Sequence, residues 1–546
     1  MSTAIAPRHA AASAEPHAYF AGLGTLLRLG LRRERWGLAI WIGAISLTVA
    51  ASFPTLAALY PDAASRQAIA GGIAATPAFS VITGPVESTT LGGLTAWRYG
   101  VLGGVAVALM ALLVVIRRTR AEEESGRAEL IASGAVGRIA PLAAALALAG
   151  AASCVIGILA ALGGLAAGEP VSGSVLLGAS LAGPGLVLAA VAGIAAQLVE
   201  SSRAATGLAG GALAVMFALR AVGDTISGAG FVSWLSPLGW GQKLGAYGAD
   251  RWPVLVLFAA ATACGTWAAV RLCLRRDVGL GWWPARPGPA AGRRLGSPLA
   301  LAWRQQRGTL AGWSIGFLVL GAMSGGMATD TEKLLAGNAK IIEIMRDLGG
   351  AGALTDVLLA TMGTIGGLLA AAYGIAAMDR VSSEEATGRA EPVLATAVSR
   401  QRYIGAHLTF ALAGSAWLLL LAGGVAGLTY AASGGGRAAF GDGLASLAVQ
   451  YPAAAVLIAV SVALIGAAPR WTALAWAALG AALLLGQLGP LLQLPRAVMD
   501  VSPYTHIPQL PAAEVTWMPL ATLAALAAAL IAIGVAGFRR RDLRLR

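Results

Sequence analysis

The sequence predicts an all-α polytopic membrane protein built from two fused, parallel repeats of six helices. Three observations carry that prediction. Mean hydropathy is +0.73 and only 12% of residues are charged. Stretches free of Asp, Glu, Lys and Arg recur at about the 20 helical residues that a hydrocarbon core of roughly 30 Å requires. One seventeen-residue pattern occurs twice, as EEESGRAELIASGAVGR at 122–138 and EEATGRAEPVLATAVSR at 384–400. Its offset of 262 is close to half of the 546 residues, and self-similarity at that period means that one unit is duplicated.

Twelve apolar runs follow in order. Spans 1–6 are 36–60, 100–116, 139–168, 170–199, 204–219 and 252–270; spans 7–12 are 308–329, 357–378, 408–436, 443–469, 471–495 and 515–538. The runs are continuous rather than alternating, and a lipid-facing backbone must satisfy its own hydrogen bonds, so each reads as a helix and not a barrel strand. The 73 glycines suit close helix packing. A basic amphipathic stretch precedes each half, LLRLGLRRER at 26–35 and LALAWRQQR at 299–307, and leads to Trp41 and Trp313 at matching positions. The far ends match too: Arg275-Arg276-Asp277 is answered by Arg540-Arg541-Asp542, and Ser236-Pro237 by Ser502-Pro503. The domains are therefore 1–276 and 297–546, joined by a Pro-, Gly- and Arg-rich linker at 277–296.

Placing the amino terminus inside puts 29 of the 39 Lys and Arg residues on the cytoplasmic side, as the retention of positive charge predicts, with both termini cytoplasmic. The formal charge of +13 is thus an orientation signal facing anionic lipid; basic residues scattered over seven segments do not make a nucleic-acid site. The first twenty residues lack the apolar core of a secretory signal. Cys154, Cys264 and Cys273 read as small buried packing residues, and the four histidines are too scattered for a metal site. Parallel repeats in a membrane protein place a pathway at their interface.

The block E-E-x-x-G-R-A-E-x-x-x-A-x-A-V-x-R after spans 2 and 8 resembles the signature of ABC-2 type permeases, the membrane subunits of ATP-binding-cassette exporters. Arg127 and Arg389 stand where that family often has Thr, and Ala135 and Ala397 where it has Pro. The double-length form is similar to polyketide-antibiotic exporters of the tetronasin-resistance type. The resemblance implies an ABCG-like fold in each half and a bacterial cell membrane location. It also implies a cytoplasmic coupling helix after spans 2 and 8 and a re-entrant segment before spans 6 and 12. Glu122, Glu123, Glu124, Gly126, Arg127 and Glu129, with Glu384, Glu385, Gly388, Arg389 and Glu391, would then dock a soluble motor, while Leu130, Ile131 and Val136 pack inward. A solvated helix with internal pairs, such as Glu123 with Arg127, is the plainer alternative.

The three lysines, Lys243, Lys333 and Lys340, sit in no G-x-x-x-x-G-K-[ST] motif. The resemblance therefore implies two copies of a separate ATP-binding subunit, which would hold ATP and Mg, and a chain without catalytic residues, metal or cofactor of its own. In the family, spans 2, 5, 8 and 11 line the cavity, which points to Tyr99, Met110, Met216, Phe217, Met362, Tyr373, Trp476 and Gln487. Walls without fixed charge suit a hydrophobic or amphiphilic, drug-like molecule. The rival reading is a twelve-helix drug/proton antiporter. It predicts a carboxylate embedded in a span and a net basic loop after span 2, whereas the predicted spans hold no Asp or Glu and that loop is rich in glutamate.

Overall fold

The computed structural model of the chain describes residues 19–542 apart from 75–80, 226–227, 278, 285–291, 293–294, 337–350, 436–437 and 489–494. The described residues are helical and contain no strand, and eleven of their helices are long and apolar enough to cross a membrane. The chain is a multi-pass membrane protein. It divides into two compact units, Met1–Gly288 and Pro289–Arg546, with the division inside the expected linker.

In the first unit the amphipathic stretch and span 1 form one helix, Leu23–Leu59, instead of an interfacial helix followed by a span. No proline interrupts it before Pro54, so the hydrogen-bond ladder continues from the arginine-rich turns into the apolar ones. Span 2 is also longer than its charge-free core. It runs Leu91–Arg118, started by the Thr90 side chain accepting the Gly93 N–H at 3.0 Å, so residues 91–99 belong to the helix and not to a loop. Spans 3 to 6 are Ala140–Ala166, Val171–Leu198, Ser202–Thr225 and Leu255–Arg275. Their buried faces, with span 4 the most deeply buried, form one core that includes Val107, Leu112, Leu177 and Leu188.

The second unit repeats the plan with one departure. Span 7 is Pro298–Ala336, span 8 is Ala351–Ala386, span 9 is Arg400–Tyr430 and span 12 is Trp517–Arg540. Span 10 is two helices, Ala438–Ala448 and Tyr451–Ala467, with Pro452 in the first turn of the second. A proline carries no N–H and is at home in a helix's first turn, so the chain restarts there; span 4 instead keeps Pro184 inside a continuous helix. In span 11 the described helix is Leu474–Leu488, 15 residues, and the expected remainder at 489–494 lies outside the described residues. Spans 10 and 12 touch backbone to backbone at Gly466 and Gly534, where a Cβ would meet the facing carbonyl group. Cys154 and Cys264 are exposed on helix faces rather than buried, and Cys273 is half-buried.

Candidate functional site

Each copy of the repeated motif folds as a helix, a glycine turn and a second short helix. In the first, Arg120–Glu124 leads through Gly126 into Arg127–Ala132; in the second, the span 8 helix runs to Ala386 and leads through Gly388 into Ala390–Leu394. Gly126 has φ 74° and Gly388 φ 71°. Nothing lies within 4 Å of a Cβ built at either position. Glycine is therefore required for the left-handed backbone itself and not for space.

The glutamates divide into anchored and free ones. Glu123 takes Arg276 in a two-pronged contact, Nη2 to Oε1 at 2.5 Å and Nη1 to Oε2 at 3.0 Å, and also takes Arg120 Nη1 at 2.7 Å. The Arg120 side chain is fully buried, and its remaining donors reach the carbonyl oxygens of Ala196, Gly279 and Leu280. Glu122 accepts from Arg33 at 2.9 Å and from Arg118 at 3.4 Å. The buried Glu34 on span 1 takes Arg117 and Arg118 at 2.9 and 2.7 Å. Glu124 accepts the backbone N–H and the hydroxyl of Ser202, which begins span 5. The alternative pairing of Glu123 with Arg127 does not form: Arg127 lies beyond the glycine turn and is exposed.

The second copy repeats the central contact. Glu385 is gripped by Arg541, Nη1 to Oε1 at 2.5 Å and Nη2 to Oε2 at 2.6 Å. One further contact recurs in both: Arg138 donates to the Arg276 carbonyl, and Arg400 to the Arg541 carbonyl. In each unit, then, the second glutamate of the motif is tied to the arginine that follows the unit's last span. Paired charges with two parallel N–H···O contacts are the strongest ordinary ion pairs, and their geometry is fixed as well as their distance.

The distal part of each motif is exposed. Arg127, Glu129 and Leu130 are exposed in the first copy and Arg389, Glu391 and Pro392 in the second, while Glu384 is half-buried. Leu130 is 77% exposed, which corrects the expectation that it packs inward. Ile131 and Val136 are half-buried and do face the unit. Neither Arg276 nor Arg541 was marked as a functional residue by sequence reasoning. The signal was available, because the Arg-Arg-Asp triplet recurs after each last span, but nothing in the sequence says that it faces the glutamates.

The residues expected along a pathway lie on spans 2, 5, 8 and 11 but differ in exposure. Met110 and Tyr373 are buried inside their own units, Tyr373 donating to the Phe410 carbonyl at 3.2 Å and meeting Trp313 edge-on at 6.1 Å. Tyr99, Met216, Phe217 and Met362 are half-buried, and the Arg220 guanidinium lies 4.7 Å over the Phe217 ring. Trp476 is exposed and donates to Asp379 at 2.7 Å. The Gln487 side chain lies outside the described residues.

At the opposite end of the first unit, the segment before span 6 folds as two short helical pieces, Val232–Leu235 and Pro237–Lys243, and a tight turn. Tyr247 in that turn is buried against span 4, donating to Ser174 Oγ at 3.0 Å, and burial pushes its hydroxyl up to about 12. Glu169, between spans 3 and 4, accepts from the Gly92 N–H at the start of span 2, and burial raises its carboxyl.

Two comparisons bear on these contacts. The family model described as multidrug efflux system permease Rv1217c, C-terminal domain, matches the chain twice, over residues 23–272 and 295–539. The multidrug efflux system permease protein Rv1217c of Mycobacterium tuberculosis (strain ATCC 25618 / H37Rv) is 42% identical over 550 residues, which cover 100% of both chains. Each match of the family model contains one copy of the motif and all six helices of a half. With eleven apolar helices and this full-length relationship, the chain belongs to the multidrug efflux permease Rv1217c family.

Proposed function

We propose that this chain is the membrane subunit of an ATP-driven exporter of hydrophobic or amphiphilic, antibiotic-like molecules, with two ATP-binding subunits supplied by another polypeptide. The observation that carries the reading is the form of the two motifs: an exposed tip joined by a glycine turn to a root held by ion pairs. A loop that only solvated the membrane surface would need neither. A loop that receives force at its tip needs a rigid root, and Glu123 and Glu385 give it one at the ends of spans 6 and 12. The motif end then faces the cytoplasm of a bacterial cell, together with both termini, and each tip seats one ATP-binding subunit.

Movement of a tip pulls span 2 or 8 directly, through the backbone, and span 6 or 12 through the glutamate–arginine contact. The substrate path runs along spans 2, 5, 8 and 11, with the half-exposed Tyr99, Met216, Phe217, Met362 and Trp476 as its contacts. Burial of apolar area at roughly 25 cal/mol per Å² would supply affinity for polyketide-like compounds and little for sugars or free amino acids.

The test is co-purification with an ATP-binding subunit encoded beside this chain, followed by ATP hydrolysis in proteoliposomes. Hydrolysis should rise with hydrophobic drugs and stay flat with sugars. Export driven by a proton gradient, with no ATP-binding subunit present, would overturn the proposal in favour of an antiporter.

A further inference from the structure

The first unit contains a cavity of about 140 Å³ at the motif end, far larger than the roughly 10–15 Å³ that one water centre needs. The early turns of the Leu23–Leu59 helix, the start of the Ala140–Ala166 helix and the motif helix Arg127–Ala132 wall it. Its lining has two chemical halves. Leu26, Leu29, Leu142 and Leu148 make an apolar wall, and Leu29 is 39% exposed, so that wall opens toward the lipid-facing surface.

The polar half holds four arginines and two glutamates, and they are not equally engaged. Arg118 and Arg276 direct all three guanidinium nitrogens at protein acceptors. Arg33 and Arg138 do not: among the described residues each donates through a single nitrogen, to Glu122 and to the Arg276 carbonyl. Glu122 receives both of its arginines on Oε1, and its Oε2 is buried with no hydrogen-bond partner among the described residues. An unmatched buried carboxylate oxygen is costly, because its lost hydration is not repaid by a protein donor. The site thus offers open cationic donors, one open anionic acceptor and an apolar wall in the same cavity.

We propose that this cavity binds one glycerophospholipid with an aminoethyl phosphate head group from the adjacent leaflet. The phosphate takes the open nitrogens of Arg33 and Arg138, the ammonium takes Glu122 Oε2, and one acyl chain lies along the four leucines. Guanidinium groups match phosphate oxygens in geometry and charge, and basic pockets between membrane helices are where head groups are recognised. A purely anionic head would bring its charge beside the open oxygen of Glu122, so the zwitterion is the better match. The second unit lacks this chemistry, because Gln305 stands where the Trp41 and Trp313 alignment puts the counterpart of Arg33. The inference holds whether or not the chain is driven by ATP.

The full chain, stripped of lipid in detergent and reconstituted in nanodiscs of equal phosphatidylethanolamine and phosphatidylglycerol, should retain one phosphatidylethanolamine in native mass spectrometry after mild release. The expected preference over phosphatidylglycerol is about tenfold. E122Q should erase that preference, and the R33Q/R138Q pair should lower retention about tenfold. L142W, which fills the apolar wall and leaves every charge in place, should expel the lipid from a folded chain. Equal retention of both lipids by the unaltered chain would overturn the proposal without reference to any variant, as would a lipid retained by L142W. Release of the lipid by millimolar inorganic phosphate alone would also overturn it, by identifying free phosphate as the occupant.

Discussion

The two units hold the same motif with different amounts of charge. In the first, Glu34 and Glu122 bind Arg33, Arg117 and Arg118 in one network, and Glu123 binds Arg120 and Arg276 in another beside it. In the second, the counterpart of Glu34 is Gln306, buried and 3.2 Å from His407 Nδ1; the counterpart of Arg117 is Asp379, which accepts from Trp476; and Arg380 donates to the Gln305 carbonyl. Common to both are the ion pair to the last span, Glu123 with Arg276 and Glu385 with Arg541, and the arginine-to-carbonyl contact beside it. When two copies of a unit diverge this far around a single retained pair, that pair is what the unit cannot do without. The network of Glu34 and Glu122 adds support around the root of the first unit.

The largest effects come from removing the common glutamate. Glu123→Gln deprives two arginines of their partner, the fully buried Arg120 and the nearly buried Arg276, whereas Arg541, the arginine that Glu385 grips, is the more exposed of the three. Breaking a buried pair by deleting one partner costs about 3–5 kcal/mol, because a charge is left behind. Thermal unfolding in detergent should therefore show Glu123→Gln as the more damaging change. The swap Glu385→Arg with Arg541→Glu should recover most of what either single change loses. Equal losses at the two sites would mean that Arg120 contributes nothing and that the units are anchored alike.

Next in size are the tips. Glu129→Arg with Glu391→Arg reverses charge on exposed residues, so insertion and folding should be unchanged, while like charges set against a partner cost several kcal/mol at an interface. Recovery of the proposed ATP-binding subunit by affinity capture should fall at least tenfold. The single changes should differ, because Leu130 in one copy is answered by Pro392 in the other. Gly126→Ala and Gly388→Ala come third. Each forces a side chain into a left-handed turn at about 1–2 kcal/mol, with no neighbour to clash with, so the two should lower melting temperature by similar amounts. A difference between them would show that the turns do not bear equal load.

How far this was legible in the sequence depends on the range of the interaction. The helices and the duplication rest on composition and on a seventeen-residue repeat, which are local and visible. The start of span 2 was missed because Thr90 caps a helix whose first turns carry Trp97 and Arg98, and a charge-free window does not see a cap. The glutamates were legible as a set but not by role. Glu123 and Glu385 are separated from their arginines by 153 and 156 residues, and no local pattern distinguishes them from Glu129 and Glu391, which stay in solvent. Leu130 was misjudged on hydropathy, since the short helix beyond the glycine turn meets the unit along the face that carries Ile131, and Leu130 lies off that face.

The smallest expected effect separates the units at the end away from the motifs. There the first unit has Glu169 against the Gly92 N–H, with its carboxyl raised by burial, while the second has the buried Tyr504, whose hydroxyl burial also raises, away from the acid range. A carboxyl whose folded value lies above its unfolded value near 4.5 holds its proton longer in the native state. Stability from this group is then greatest below about 4.5 and declines as pH rises through the window above it. Asp62 in the same unit has the opposite sign. The Ser65 N–H and hydroxyl contacts hold it below its usual value of 3.8, so its contribution is lost only as pH falls under that value and does not overlap the Glu169 window. Melting curves between pH 4 and 7 should therefore slope less steeply downward in Glu169→Gln than in the unaltered chain, because the amide keeps an acceptor for the Gly92 N–H but cannot ionise. The corresponding Tyr504→Phe variant should leave the slope as it is. If Tyr504→Phe lowered the slope and Glu169→Gln did not, the contrast between the two ends would be reversed.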